Sequence, residues 1–259
     1  MIPKIIHYCW FSGEPFPTSI EKCMKSWKIY LSDYEWRCWD AHSFDFDSIP
    51  YVREAYNCKK WAFVSDYVRI YALYTYGGIY LDTDIFMKKR FDSLDLYDVD
   101  FFSAIEYHPQ LVKKVDINKF IDDKGHRRKG ASSPPGIGIQ AAVLGAAQGH
   151  PYLKDILEYY KDKHFFNIKG EPDMGLIAPA IYAMIAEKYG FVYQNREQSF
   201  SEGMKIFSSD LFAGGDYQES TDSILVHRCA HSWYDYSRWE KIKIWVKAAL
   251  AKMYSVKKL

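Results

Sequence analysis

The fold of this chain is decided by residues 77–84, which read GGIYLDTD. They follow residues 59–76, where apolar side chains recur at helical spacing. The glycine pair therefore predicts the end of a helix, a position at which glycine takes a left-handed conformation without strain. The three apolar residues that come next predict a buried strand, and Asp82 and Asp84 follow at its end. Because ligands of open α/β sheets collect outside the carboxyl ends of the strands, we expect a binding site there.

Strands and helices alternate on both sides of this stretch. The residue patterns predict strands over 4–10, 35–39, 79–82, 100–105, 137–144, 191–194 and 224–227, and helices over 18–30, 59–76, 152–163 and 176–189. Such alternation is typical of an α/β fold, here a Rossmann-like, mixed and mostly parallel sheet flanked by helices. Residues 107–135 are weakly patterned, and we expect them to form a mobile loop or lid.

The composition restricts the class of protein. With 259 residues, of which 48% are hydrophobic, the chain can bury a core and is most simply one domain with an appendage. Aromatic residues reach 18%, which favours ligands that offer flat rings for stacking, such as sugars and nucleobases. No hydrophobic run is long and unbroken enough to span a membrane, and residues 1–10 lack the pattern of a secretory signal, so we expect a cytoplasmic location.

The charge is distributed unevenly along the chain. Residues 238–259 hold seven basic side chains and one acidic side chain, whereas the rest holds 27 basic and 32 acidic side chains. The negative body argues against nucleic acid as a partner. The tail has an apolar stripe at helical spacing, which is typical of a helix on an anionic membrane surface; packing on the body is the alternative. We therefore expect a globular domain over residues 1–236 and a basic amphipathic helix over residues 237–259, with the protein peripheral on the inner face of the membrane.

The two aspartates of the first stretch predict a metal site. In an extended chain, side chains two residues apart point to the same side, so Asp82 and Asp84 can address one cation. An oxygen-rich site of this kind suits Mg²⁺ or Mn²⁺ and not zinc. One helix upstream, Asp66 and Arg69 are three residues apart and share a face. They form either an ordinary intrahelical ion pair or part of the same site.

Three blocks in a fixed order carry a resemblance to a known family. They are residues 2–10 (IPKIIHYCW), residues 65–69 (SDYVR) and residues 77–84. Together they resemble glycosyltransferase family 32, the DXD-containing sugar transferases that include yeast initiating mannosyltransferases and bacterial capsular polysaccharide or lipopolysaccharide enzymes. A more distant similarity reaches the glucosylating domains of clostridial toxins. The resemblance implies a GT-A-type fold, a Mn²⁺ or Mg²⁺ cofactor, a nucleoside-diphosphate sugar donor and a glycan or glycolipid acceptor.

The resemblance also implies roles for four residues, which are the expected catalytic residues. Asp82 contacts the ribose and the metal, Asp84 binds the metal directly, and Asp66 and Arg69 bind the donor sugar. A cation and Arg69 would stabilise the negative charge that develops on the leaving diphosphate.

The C-terminal block, residues 227–233, resembles the family's H-x-x-x-x-S-W. It implies that His227 completes the metal site, with His231 as the second choice because the family's usual neighbouring histidine is absent. Glu106 and Gln140 stand at predicted strand positions near the same sheet edge and are expected sugar or acceptor contacts. The full set of expected substrate-binding residues is His7, Trp10, Asp66, Arg69, Gly78, Asp82, Glu106, Gln140, Ser232 and Trp233.

Taken together, the sequence predicts a metal-dependent hexosyltransferase that uses a nucleoside-diphosphate sugar. A UDP-sugar donor and retention of anomeric configuration are expected from the resemblance alone. Two other functions are weighed against it. A haloacid-dehalogenase-like phosphatase also begins with a strand that ends in Asp-x-Asp, but Ile85 and Phe86 follow here in place of small residues. A non-catalytic sugar-binding protein would keep the pocket without turnover.

Overall fold

The structure is a computed structural model that describes residues 1–173, 175–215 and 218–228. Its described strands are β1 (Ile5–Cys9), β2 (Glu35–Trp39), β3 (Gly78–Leu81), β4 (Ile85–Met87), β5 (Phe101–Tyr107), β6 (Ile137–Ile139), β7 (Val143–Ala146), β8 (Gln198–Ser199), β9 (Met204–Phe207), β10 (Phe212–Ala213) and β11 (Leu225–His227). Its described α-helices are α1 (Thr18–Tyr30), α2 (Pro50–Asn57), α3 (Trp61–Tyr76), α4 (Pro109–Val112), α5 (Pro151–Lys161) and α6 (Ala178–Ala186).

The strands form one large mixed sheet and one small sheet. The large sheet has the order β2-β1-β3-β7-β5-β9-β8, with β6 paired to β5, and the small sheet has the order β10-β11-β4. The α/β class with a mixed sheet is therefore confirmed. Parallel pairs are not the majority, however: within the described strands of the large sheet, three pairings are parallel and four are antiparallel. The chain returns from β5 through β6 and β7 without a crossover helix, so these strands run against their neighbours.

The large sheet separates two hydrophobic cores because its side chains alternate between its faces. Phe101 and Ile105 of β5 belong to the core that includes residues of α2, α3, α5 and α6. Phe102 and Ala104 belong to the core that includes Trp27 of α1 and residues of the small sheet. Helices thus cover both faces, as the alternation of elements predicted.

Most elements lie where the sequence patterns placed them. The predictions for α1 and β2 match the observed bounds, and those for α3, α5 and β11 differ by one or two residues at an end. Two elements near the site, α2 and β4, were not predicted. Both are short, and β4 consists of three residues that follow the aspartates directly.

Two predicted strands are wrong in detail. Residues 137–144 form two strands, because the chain changes partners at Gln140, whose backbone N–H bonds to Ala104 of β5. Residues 191–194 are not a strand. The side chain of Gln198 accepts a hydrogen bond from the Val192 N–H and donates one to the Val192 carbonyl, and so takes the place of a neighbouring strand. The strands of this region are β8 and β9.

The connection between α3 and β3 depends on its two glycines. Gly77 has φ +65° and Gly78 has φ +109°, backbone values that residues other than glycine rarely adopt. A Cβ atom on Gly78 would lie 2.6 Å from the Ile5 carbonyl oxygen of β1. The pair therefore brings the end of α3 against the first strand and fixes where β3 and its aspartates begin.

The predicted helix over 237–259 and the domain boundary at residue 236 lie outside the described residues. Among the helices of the described part, none has the length and hydropathy needed to cross a membrane.

We expect Gly78→Ala to lower the free energy of unfolding by about 3 kcal/mol or more, because it combines a left-handed backbone with a steric overlap against β1. Gly149→Ala is the matched control: Gly149 also has a left-handed φ of +74°, but a Cβ atom added there would meet nothing within 4 Å. Strain alone should cost about 1 kcal/mol there. Urea denaturation of the two variants measures the difference, and equal losses would show that the approach to β1 does not matter.

Candidate active site

Helix α3 carries a buried ion pair toward the carboxyl end of β3. Asp66 and Arg69 are 8% and 4% exposed, and Arg69 Nη2 lies 3.1 Å from Asp66 Oδ1. The hydroxyl of Tyr182, on α6, donates to the Asp66 carbonyl oxygen and packs the helix at this turn. The burial of both charges sets this pair apart from a surface i, i+3 pair, because burying a charge is costly unless it is paired and hydrogen-bonded.

Arg69 joins the helix to the end of β3 and to the chain between β6 and β7. Its Nε donates to the Ser65 carbonyl oxygen at 3.0 Å, and its Nη1 donates to the Ala141 carbonyl oxygen at 2.6 Å. Its Nη2 also lies 3.6 Å from Asp82 Oδ1. The guanidinium fork thus holds the α3 pair, the first aspartate of the Asp-x-Asp motif and the chain between β6 and β7 in one arrangement.

Tyr80 supports the same aspartate from the strand. It is 1% exposed, its hydroxyl donates to Asp82 Oδ1 at 2.7 Å, and the Arg69 guanidinium lies 4.8 Å from the centre of its ring. Both contacts to the Asp82 carboxylate go to Oδ1. In the part of the chain that the structure describes, no hydrogen bond is made to Oδ2, which leaves that oxygen available to a ligand.

The charge of Asp66 depends on its surroundings. Burial raises the pKa of the Asp66 carboxyl to about 7, Arg69 opposes the rise, and the negative charge of Asp82 adds to it. A cation held at Asp82 would remove part of that repulsion and favour the ionised form of Asp66. The two aspartates are therefore coupled electrostatically, although one lies on a helix and the other at the end of a strand.

The second aspartate of the motif meets a histidine from the small sheet. The hydrogen-bonding register places His227 of β11 opposite Ile85 of β4, next to Asp84. His227 Nε2 lies 3.3 Å from Asp84 Oδ1, and one ligand atom from each of Asp82, Asp84 and His227 falls within 4.8 Å of the others. Two carboxylate oxygens and an imidazole nitrogen, all partly accessible, fit a divalent cation such as Mn²⁺ or Mg²⁺.

Three of the expected substrate contacts lie along β1, with Gly78 beside its first residue, His7 in its middle and Trp10 just after its end. Trp10 is partly exposed, its indole N–H donates to the Glu14 carbonyl oxygen at 2.7 Å, and its ring lies 4.7 Å from that of Phe16. It offers an aromatic surface at this edge of the sheet. His7 is fully buried, with Nδ1 accepting from the Trp39 indole and Nε2 donating to the Gly77 carbonyl oxygen, and Gly78 lies against it. These two contacts therefore give His7 and Gly78 structural positions and place neither at an open surface.

Gln140 and Glu106 lie at the edge of the site formed by β5, β6 and the chain that leads to β7. Gln140 is 2% exposed, its Nε2 donates to the Phe212 carbonyl oxygen, and its Oε1 finds no partner among the described residues. Glu106 is partly accessible and lies 3.1 Å from His108 Nε2. Ser232, Trp233 and His231 lie outside the described residues.

The structure adds residues that the sequence analysis did not assign. Tyr80, Tyr182, His108 and the Ala141 carbonyl all contact expected site residues. Tyr80 could have been found, because it stands two residues before Asp82 in a strand and therefore on the same side. His108 stands two residues after Glu106 and could have been found in the same way. Tyr182 and the Ala141 carbonyl lie far along the chain from Asp66 and Arg69, and no local pattern indicates them.

Comparison with known families agrees with this arrangement. Residues 17–99 match the family described as "Glycosyltransferase sugar-binding region containing DXD motif". Residues 17–99 are therefore similar to the sugar-binding region of the DXD glycosyltransferases. The matched residues include the α3 ion pair and both aspartates of the motif, so the resemblance noted from the sequence is confirmed.

Curated relatives of this DXD region are mannosyltransferases of fission yeast. Inositol phosphoceramide mannosyltransferase 3 of Schizosaccharomyces pombe is 29% identical over 169 residues, which are 60% of this chain and 36% of the relative. Inositol phosphoceramide mannosyltransferase 2 of the same organism is 24% identical over 240 residues, which are 91% of this chain and 59% of the relative. The chain thus spans about a third to three fifths of the length of these relatives.

Among solved structures, the PaToxG glycosyltransferase is similar in fold, with a TM-score of 0.47 and 15% identity over 72% of this chain and 69% of that chain.

We expect the buried His7 to make stability depend on pH. Burial lowers the pKa of His7 from 6.5 to about 4, so the unfolded chain binds a proton between these values and the folded chain does not. Relative to His7→Gln, the wild-type protein should therefore lose about 3 kcal/mol of unfolding free energy as the pH falls from about 6.5 to about 4. Above this window the difference should be constant.

Urea denaturation of both proteins at several pH values measures this difference. Asp66 acts in the opposite direction, because its folded-state pKa is raised, but it is present in both proteins and cancels in the comparison. A difference that does not change with pH would show that His7 is protonated equally in both states.

Proposed function

We propose that the chain is a metal-dependent glycosyltransferase that moves a hexose from a nucleoside-diphosphate sugar to a glycan or lipid-linked acceptor. The observation that carries this proposal is that Asp82 belongs both to the candidate metal cluster and to the contacts of Arg69. It belongs to the Asp82, Asp84 and His227 cluster, and it is also the carboxylate that Arg69 and Tyr80 hold. A cation and a donor sugar bound there would be in contact through one residue.

The cluster accounts for the cofactor part of the proposal. When bound, Mn²⁺ or Mg²⁺ would supply positive charge for the donor diphosphate, which becomes more negative as the bond to the sugar breaks. Asp84 and His227 would both hold it, and they come from different parts of the chain, one following β3 and one ending β11. The partly buried position of both groups supports a site that excludes most of the surrounding water.

Asp66 and Arg69 account for the sugar part of the proposal. The guanidinium is fixed by two backbone carbonyls before any ligand arrives, so little reorganisation would be needed for it to meet developing charge on the donor. When ionised, the Asp66 carboxylate only accepts hydrogen bonds and suits the hydroxyls of a hexose. Trp10 would stack on the base, and Gln140 Oε1 would accept from a sugar hydroxyl.

The identities of the donor and the acceptor are proposed from the relatives and from the family resemblance. A UDP-sugar and retention of configuration follow from the family resemblance, whereas the names of the yeast relatives favour a mannosyl donor. Those relatives are named for an inositol phosphoceramide acceptor, which supports a lipid-linked acceptor here. We also propose that the chain lies at the inner face of a membrane, because residues 238–259 carry a net positive charge that attracts anionic lipids.

The two other candidate functions are not favoured. A phosphatase of the haloacid-dehalogenase type would use the first aspartate as a nucleophile, but the DXD family match covers this stretch. A purely sugar-binding role would not need a buried Arg69 that contacts both Asp66 and the Asp82 carboxylate of the candidate metal cluster.

We expect Asp84→Asn to abolish metal-dependent donor binding and donor hydrolysis, with a loss of about 100-fold or more, because it removes a charged ligand from the cation. Titration calorimetry with UDP and GDP, with and without Mn²⁺, measures binding. Slow hydrolysis of UDP-glucose, UDP-galactose, UDP-N-acetylglucosamine and GDP-mannose identifies the donor. Asp162→Asn, an exposed change after α5, is the control. Unchanged metal-dependent binding in Asp84→Asn would overturn the assignment of this residue.

We expect Arg69→Lys to lower kcat/KM for donor hydrolysis by about 100-fold, because lysine keeps the charge but cannot make the forked contacts to Ser65, Ala141 and the aspartates. Arg127→Lys is the matched control, since Arg127 forms a comparable forked contact with Glu187 outside the candidate site. Denaturation of both variants separates lost stability from lost activity. Equal activities would assign Arg69 to the fold alone.

A further inference from the structure

The chain between β5 and β6 contains a strongly basic segment. Residues 113–129, here the basic excursion, hold seven basic and three acidic side chains, a net charge of +4. Residues 1–237 have a net charge of −5, so the body without the basic excursion has a net charge of −9. Six of its basic side chains are exposed, namely Lys113, Lys114, Lys119, Lys124, Arg128 and Lys129. The positive charge is therefore concentrated on one segment of a negative domain.

The basic excursion has local structure that leaves most of these charges free. The Asp122 carboxylate accepts from the N–H groups of Lys124 and His126, and Ile121 forms a backbone bridge with Arg127. Arg127 is used internally, in a two-pronged contact with Glu187. By contrast, the ammonium groups of its five lysines make no hydrogen bond or ion pair with any described residue.

Its position places it beside the candidate active site. The chain leaves the sheet at the end of β5, next to Glu106 and His108, and passes through α4 into the basic excursion. It returns to the sheet at β6, where Ile137 pairs with Tyr107. The Ala104 carbonyl bonds to Gln140, and Asp82 N–H bonds to the Ala142 carbonyl, so a single intervening segment separates β5 from the end of β3. Two strand spacings amount to about 10 Å, which is the scale of a disaccharide. The chain that leads into the basic excursion thus starts beside the site, and Ile121 of the excursion packs against the core that includes α3.

An exposed apolar side chain accompanies the charge. Leu111 of α4 is 45% exposed and stands two residues before Lys113. Lysines around an exposed leucine are the combination that binds the boundary between headgroups and acyl chains, because the charge attracts anionic lipid and the leucine enters the apolar layer.

We propose that the basic excursion and Leu111 form a docking surface for anionic lipid headgroups, which would hold a membrane-borne acceptor beside Glu106 and the donor site. This inference rests on the proposed transfer to a lipid-linked acceptor. An extended set of free lysines fits a surface of many phosphates better than one soluble phosphate. The docking surface is also a different part of the chain from the C-terminal tail.

The test is binding of the full-length chain to vesicles of phosphatidylcholine with and without phosphatidylglycerol. The variant Lys113→Gln/Lys119→Gln/Lys124→Gln should lose about 100-fold in phosphatidylglycerol-dependent partitioning, at about fivefold for each lysine. The matched control Lys22→Gln/Lys25→Gln/Lys28→Gln removes the same charge from exposed positions of α1. It should lose about threefold or less, because charges more than a Debye length from the surface are screened.

A second variant, Leu111→Ser, leaves the charge unchanged and should lose about tenfold in partitioning. Equal losses in the two lysine variants would overturn the proposal, because binding would then follow net charge alone. Competition by inorganic phosphate beyond that of chloride at equal ionic strength would also overturn it in favour of a phosphate pocket.

Donor hydrolysis separates this inference from the proposed function. None of the altered side chains belongs to the donor site, so hydrolysis in solution should stay at the wild-type rate in all three variants. Absence of hydrolysis in the wild-type protein would contradict the proposed function and leave the vesicle comparison unaffected. Normal hydrolysis with equal vesicle losses would contradict the docking surface alone.

Discussion

A guanidinium group buried between a helix and a sheet must have its charge and its N–H groups satisfied by the protein, since water does not reach it. Arg69 meets this requirement with two backbone carbonyls and two carboxylates. The four partners come from three places: the preceding turn of α3, the chain between β6 and β7, and the end of β3. The position of the helix, the break in the sheet at Gln140 and the orientation of Asp82 are therefore parts of one arrangement, and a change in any of them would leave a buried charge without a partner.

Much of the fold could be predicted because it depends on local patterns. The apolar spacing of α1 and α3, the glycine pair and the strand that follows it all report their structure within a few residues. The failures occurred where contacts between distant residues decide the outcome. Residues 191–194 have the composition of a strand, but the Gln198 amide group occupies their backbone. The direction of β7 depends on how the chain returns from β5, which no periodicity records.

The site shows the same division. Asp66, Arg69, Asp82 and Asp84 were indicated by their spacing and by the family resemblance, and the structure brings all four together. His227 was implied only by the resemblance, and it does lie beside Asp84. His7 belongs to another block of the resemblance, residues 2–10. Its two ring nitrogens are used by Trp39 and Gly77, so its place in that block reflects packing beneath the site. Sequence similarity alone does not separate these two kinds of residue.

The small sheet has a consequence for the topology of the whole domain. Asp82 and His227 are separated by about 145 residues, and everything from β5 to β10 lies between them. A cation shared by these side chains would close that length of chain into a ring, as a crosslink does, and would restrict the denatured ensemble more strongly than a bond between near neighbours. The ion would then stabilise the fold as well as take part in catalysis, so the free energy of unfolding would depend on the concentration of metal.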